Sequence, residues 1–179
     1  MLELLIALVI ASILTLMAVP NLRPFIQNNR NITQINELQT TLNAARTAAV
    51  TRNNTVSLCA SANGTGCGAD LEIWQNGWIA FVDEDADGTV DAGDLVIRTQ
   101  GGMVTGTTLI LSADTAITYA SSGLAISGAN ETFTLCDDRG AGDARGLIIG
   151  VSGRPRLAVD SNDNDIVEDE SNTDLACAE

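Results

Sequence analysis

Asp83, Asp85, Asp87, Asp91 and Asp94 stand at positions 1, 3, 5, 9 and 12 of a twelve-residue stretch, with Gly88 at position 6 and Thr89 at position 7. Alternating carboxylates, a glycine that permits a sharp turn and a backbone carbonyl at position 7 are the oxygen ligands of an EF-hand-type calcium loop. Carboxylates crowded into one loop repel one another unless a hard cation neutralises them, so the spacing favours bound calcium. Two departures lower the expected affinity. Position 12 is Asp rather than the longer, bidentate Glu, and the preceding Gly77–Val82 has the pattern of a strand where an EF-hand has a helix. The same residues also describe an acidic hairpin that needs no ion. A second acidic run, Asp160 to Glu168, lacks the glycine and is expected to be a solvated tail.

The other chemistry-bearing residues are four cysteines, Cys59, Cys67, Cys136 and Cys177, none of them in a C-x-x-C pair. That spacing argues for disulfides rather than zinc. The expected pairing is Cys59–Cys67, which closes the turn-rich loop Ala60 to Gly66, with Cys136–Cys177 tying the C-terminal tail to the body. Such bonds belong outside the cytoplasm.

The chain carries 23 acidic residues against nine arginines, with no lysine and no histidine, for a formal net charge of −14. Ser-His and Cys-His nucleophilic pairs are therefore excluded, as are lysine-dependent mechanisms. Paired carboxylates remain, but an acid-rich surface produces such pairs by chance, and the composition argues against an enzyme. On average the surface repels nucleic acid and anionic lipid.

The elements that must position these residues fall into three segments. Residues Met1 to Val19 are almost wholly apolar, interrupted by Glu3, Ser12 and Thr15. As a helix they extend about 28 Å, close to the roughly 30 Å of a bilayer interior, so a transmembrane span is expected. No basic residue precedes the run and no small-residue cleavage site follows it, unlike a secretory signal. Glu3 is costly inside such a span, which implies a partner unless it snorkels to the interface. Beyond Pro20 and Pro24, Ile32, Ile35, Leu38, Leu42, Ala45 and Ala49 recur at intervals of three and four, one face of an amphipathic helix. That helix is expected to end near Thr51, before Asn53-Asn54, with a total length of about 75 Å.

From Thr55 onward short β-branched or apolar runs alternate with Gly, Asn, Asp and Ser. Strands are predicted at Thr55–Cys59, Gly77–Val82, Leu95–Arg98, Thr107–Leu111, Ala116–Tyr119, Leu124–Ile126, Thr132–Cys136, Gly146–Val151 and Arg156–Val159. The resulting class is α+β: a long N-terminal helix, transmembrane in its first half, packed on a C-terminal, antiparallel, β-sandwich-like head. The divisions fall at 1–24 for the span, 25–52 for the amphipathic half and 53–179 for the head. Trp74 and Trp78 are expected in the core.

Two resemblances sharpen this reading. Met1-Leu2-Glu3-Leu4-Leu5-Ile6, with Pro20 seventeen residues after Glu3, resembles the type IV pilin signature. On that resemblance the family's mature chain begins two residues earlier, a prepilin peptidase does the processing, and Glu3 pairs with the N-terminal amine of a neighbouring subunit. The head resembles the pseudopilin H and FimT (GspH/FimT) family through Leu58-Cys59-Ala60-Ser61, Gly64, Cys67, Trp74 and Gly77-Trp78-Ile79-Ala80-Phe81-Val82-Asp83. It does so again through Leu95-Val96-Ile97-Arg98, Phe133-Thr134-Leu135-Cys136-Asp137 and Gly153-Arg154-Pro155-Arg156.

The resemblance implies a minor pilin or pseudopilin that initiates or caps a filament of type II secretion or of a type IV pilus. Its partners would be other pilin subunits, the inner membrane and the assembly machinery, with the head in the periplasm. Some FimT-like pilins are linked with DNA uptake through a Gly-Arg-x-Arg motif, which Gly153, Arg154 and Arg156 match and which Arg139 and Arg145 would extend. Against DNA stand the net charge and the nearby Asp160, Asp163 and Asp165.

Overall fold

The computed structural model describes residues 2–68, 71–112, 116–127 and 129–177. Met1, which opens the expected span, and residues 178–179 of the acidic tail lie outside the described residues. Helix α1 runs Leu2–Arg52 and continues through Pro20 and Pro24. It stops where Asn53 turns left-handed at φ 51°, with Asn53 N–H donating to Val50 O at 3.4 Å and Asn54 N–H to Ala49 O at 3.2 Å. This is a Schellman cap with asparagine in the glycine position, one of the few residues that tolerate that backbone.

The chain divides into two compact units, Met1–Thr33 and Gln34–Glu179. In the first, the side chains of Leu2, Leu4, Leu5, Ile6, Leu8, Val9, Ile10 and Ile13 are exposed, as are Leu22, Phe25 and Ile26. Ile32, expected on the buried stripe, is 40% exposed. Among the described residues no helix is long and apolar enough to cross a membrane. The span expected over residues 1–19 therefore rests on the sequence.

The second unit takes in the end of α1 because Ile35, Leu38, Leu42, Ala45 and Ala49 bury in the same core as the strands. Its strands are β1 (Val56–Ala60), β2 (Gly77–Val82), β3 (Leu95–Gly101), β4 (Thr107–Leu111), β5 (Ala116–Tyr119), β6 (Ala125–Ser127), β7 (Glu131–Asp137), β8 (Arg145–Ile149) and β9 (Pro155–Leu157). They form two antiparallel sheets, ordered β3-β2-β1-β5-β6 and β4-β7-β8-β9. Leu58 and Trp78 from one sheet, and Leu109, Phe133 and Leu147 from the other, share the core with the helix. Trp74 meets Phe133 edge to face at 4.8 Å between ring centroids, a favoured aromatic geometry. Trp74 lies on a 3₁₀ turn, Leu71–Asn76, that strand patterning does not announce; a second such turn spans Ala141–Asp143.

β1 and β2 are buried on both faces. Val56, Leu58 and Ala60 point into the main core, and the alternate positions feed a second cluster of Cys59, Ile79, Phe81 and Ala116, against which Cys67, Val90 and Val96 pack. This second cluster holds the β2–β3 loop, with its acidic residues, against the sheet.

Candidate functional site

The β2–β3 loop begins at Asp83, a carboxylate with no exposed surface. The Ser57 hydroxyl on β1 donates to its Oδ2 at 2.5 Å, and the Gly88 N–H donates to the same oxygen at 3.0 Å. Ser57 Oγ also lies 2.8 Å from Thr118 Oγ1 on β5. Since the serine proton is committed to Asp83, the threonine is the donor. Thr118, Ser57 and Asp83 thus form one chain from β5 through β1 to the start of the β2–β3 loop. Asp83 Oδ1 is buried and receives no hydrogen bond from the described residues.

Carboxylate oxygens of Asp83, Asp85 and Asp87 lie within 4.8 Å of one another, the last two residues exposed. Loss of solvation, then the charge of Asp87, a hydrogen bond from the protonated Asp85 carboxyl to the Asp83 carboxylate and the charge of Asp83 hold Asp85 above the ordinary aspartate range, with the Asp87 backbone drawing it partly back, even though the residue is exposed. The twelve-residue ligand set expected from sequence is not assembled. Asp94 Oδ2 accepts from the Asp91 N–H at 3.0 Å, so these two close a turn of their own, and Thr89 gives its N–H and hydroxyl to Asp87 Oδ1 at 2.7 and 2.8 Å. Local turn hydrogen bonds have displaced the helical calcium-loop geometry, as suits a loop joining two strands. Ser57 and Thr118 were not legible as partners; the signal was polar residues inside otherwise apolar strands.

The cysteines pair as Cys59–Cys67 and Cys136–Cys177, with sequence separations of 8 and 41. The second bond fastens a tail whose residues 161–165 are exposed, as expected of a solvated run, but whose Glu168 is not. Glu168 is only 3% exposed and accepts from Ser161 N–H at 2.8 Å and Ser161 Oγ at 2.9 Å, while Leu175 is buried and its N–H donates to Val167 O at 3.0 Å. Desolvation works to raise the Asp160 carboxyl, but backbone N–H groups of Asp165, Asn164, Asp163 and Asn162 outweigh it and hold it below the usual range. Their distances, 2.8, 3.3, 2.8 and 3.2 Å, make a turn that wraps one carboxylate.

The four arginines singled out for DNA do not form one free basic patch. Arg139 is held by Asp137 and Asp143, each at 2.7 Å, and Asp137 raises its guanidinium further above its ordinary value. Arg156 on β9 is ion-paired with Glu170 of the tail. Arg145 is half-buried at the start of β8, and Arg154 is exposed. Acidic neighbours thus neutralise two of the four. The glycine of the motif is required by the fold, since Gly153 sits at φ 72° and a Cβ there would lie 2.3 Å from Gly123 O. Gly123 O in turn accepts from Arg46 Nε of α1 at 2.8 Å. The hydroxyl of Tyr119, whose ring borders Gly153, is driven up by burial and only partly drawn back by Arg46.

At the other end of α1, Glu3 lies in the first turn among exposed leucines and isoleucines. A carboxylate in the first turn of an apolar helix segment and a disulfide-fastened two-sheet head sharing its core with the end of that helix are the layout of a pilin-like subunit. The profile of the type II transport protein GspH matches residues 34–153, more than half of the chain. The chain belongs to the GspH family, in the group of GspH/FimT-type minor pilins, and is a structural subunit rather than an enzyme.

Among solved structures, it is similar to the type IV minor pilin FimU of Pseudomonas aeruginosa in two crystal forms. One gives a TM-score of 0.60 at 25% identity over 75% of this chain and 92% of FimU. The other gives 0.55 at 25% identity over 69% and 89%. The minor pseudopilin EpsH from the type 2 secretion system of Vibrio cholerae aligns over 72% of this chain and 95% of its own, at 10% identity and a TM-score of 0.49. No curated protein matches by sequence.

Proposed function

We propose that the chain is a minor subunit of a filament, a type II secretion pseudopilus or a type IV pilus, held in the inner membrane by residues 1–19 with its head in the periplasm until assembly. The observation that carries this reading is the exposed apolar face from Leu2 to Ile13 with Glu3 in its first turn, on a chain with a GspH head. Such a helix can trade lipid contacts for helix contacts at little cost, which suits a non-covalent polymer extracted subunit by subunit. Glu3 meets the amine of a neighbouring subunit, relieving two burial penalties together. A role in initiating or capping the filament, and through it in protein secretion, is supported by likeness to a minor pilin.

Deleting the chain from the producing cell is expected to abolish filaments and secretion of their cargo. The full chain should restore both, and Glu3→Ala should not. Filaments and secretion undiminished by the deletion contradict the proposal.

A further inference from the structure

We propose that Asp83, Asp85 and Asp87 bind one calcium ion at the end of β2. Two oxygens bound to one calcium at 2.3–2.6 Å sit at most about 5 Å apart. The three carboxylates satisfy that limit, lying within 4.8 Å of one another. An independent observation points to the ion. The side chain of Asp83 has no exposed surface; its Oδ2 is occupied by Ser57 and Gly88, and its Oδ1 is buried with no donor among the described residues. A buried carboxylate oxygen left unmet is costly, and a cation supplies what the protein does not.

The tail turn shows the alternative solution within the same chain. Both Asp160 oxygens accept backbone N–H groups, Asp163 and Asn162 on Oδ1 and Asp165 on Oδ2, so that carboxylate is satisfied without an ion. The β2–β3 loop offers Asp83 no comparable cradle on its second oxygen.

The donor set fixes the class of metal. It is all oxygen, with no histidine in the chain and all four cysteines in disulfides, which selects a hard cation. Carboxylates at alternate loop positions give irregular angles that calcium accepts; magnesium demands a near-ideal octahedron at shorter distances. Packing orders the loop in advance. Gly88 sits at φ 78° with its Cβ position 3.2 Å from Ala116 Cβ, and Val90 packs on the cluster of Cys59, Ile79, Phe81 and Ala116. Asp85 and Asp87 are exposed, so water completes the shell and the affinity falls in the range of extracellular modules, a dissociation constant on the order of 0.1–1 mM.

The test is a calorimetric titration of the oxidised full chain, in detergent, with calcium chloride and separately with magnesium chloride. One saturable calcium site is expected, with magnesium at least about tenfold weaker. Asp85→Asn with Asp87→Asn should weaken calcium more than about tenfold, since it removes two of three charged ligands. Asp91→Asn with Asp94→Asn should leave the affinity unchanged while removing the same amount of charge from the same loop. Asp83 stays intact in both variants because it is part of the buried Thr118–Ser57 chain. No calcium heat up to about 10-fold above the expected constant, equal binding of magnesium, or equal weakening by the two double variants would each overturn the proposal.

Discussion

Replacing Gly153 with alanine separates the structural use of the Gly153-Arg154-Pro155-Arg156 segment from its use as a phosphate binder. At φ 72° the glycine adopts a left-handed backbone, which costs an alanine about 1–2 kcal/mol. The added Cβ would also stand 2.3 Å from Gly123 O, 3.1 Å from the Tyr119 ring and 3.2 Å from Arg46 Nε. Relief requires the 120–123 turn to withdraw by roughly 1 Å, the gap between that overlap and ordinary carbon–oxygen contact. Withdrawal breaks the 2.8 Å bond from Arg46 Nε to Gly123 O, a charge-assisted bond of about 1.5–3 kcal/mol. The expected loss is therefore about 2.5–5 kcal/mol. Urea unfolding followed by tryptophan fluorescence measures it, with the slope checked for two-state behaviour. Arg154→Ala, at an exposed position, should cost less than about 0.5 kcal/mol, and Arg156→Ala less than about 1 kcal/mol for its half-exposed pair with Glu170. A Gly153→Ala protein within about 1 kcal/mol of the parent would refute the reasoning, because neither the strain nor the lost bond could then be present.

Chain entropy ranks the disulfides. Opening the 41-residue separation of Cys136–Cys177 should cost about 4 kcal/mol and opening the 8-residue separation of Cys59–Cys67 about 2.5 kcal/mol; serine double variants compared by urea midpoint check the order, and its reversal would show that loop length does not govern. On duplex DNA, with Arg156 and Arg139 ion-paired, fluorescence anisotropy at physiological salt should show no binding by the full chain; binding that Arg154→Ala with Arg156→Ala abolishes would establish a DNA receptor instead.

Elements bounded by their own punctuation were legible in the sequence. Gly77–Val82 and Thr107–Leu111 are strands with the bounds their turn residues suggest, and Asn53 ends the helix because few other residues accept its backbone angle. What was not legible depends on partners distant along the chain. β3 runs to Gly101 rather than Arg98 because β2 pairs with it as far as Gly77, and nothing local to Thr99 or Gln100 announces that. Glu168 looks like one more solvated carboxylate until Ser161 folds over it. The acidic loop shows both cases together: its carboxylate spacing is visible, whereas the choice of Asp83, Asp85 and Asp87 over Asp91 and Asp94 follows from Ser57 on a neighbouring strand and from local turn bonds. Arg46 reads as an ordinary residue on the helix; its bond to Gly123 spans 77 positions.

That this chain is a filament subunit is tested most directly by immunogold electron microscopy of filaments sheared from the producing cell, using antibody raised against the head. Sparse label confined to one end of each filament is expected, with the remaining chain in the inner-membrane fraction. Filaments without label, from cells in which the chain is abundant and is released free of membrane and filament alike, would contradict it.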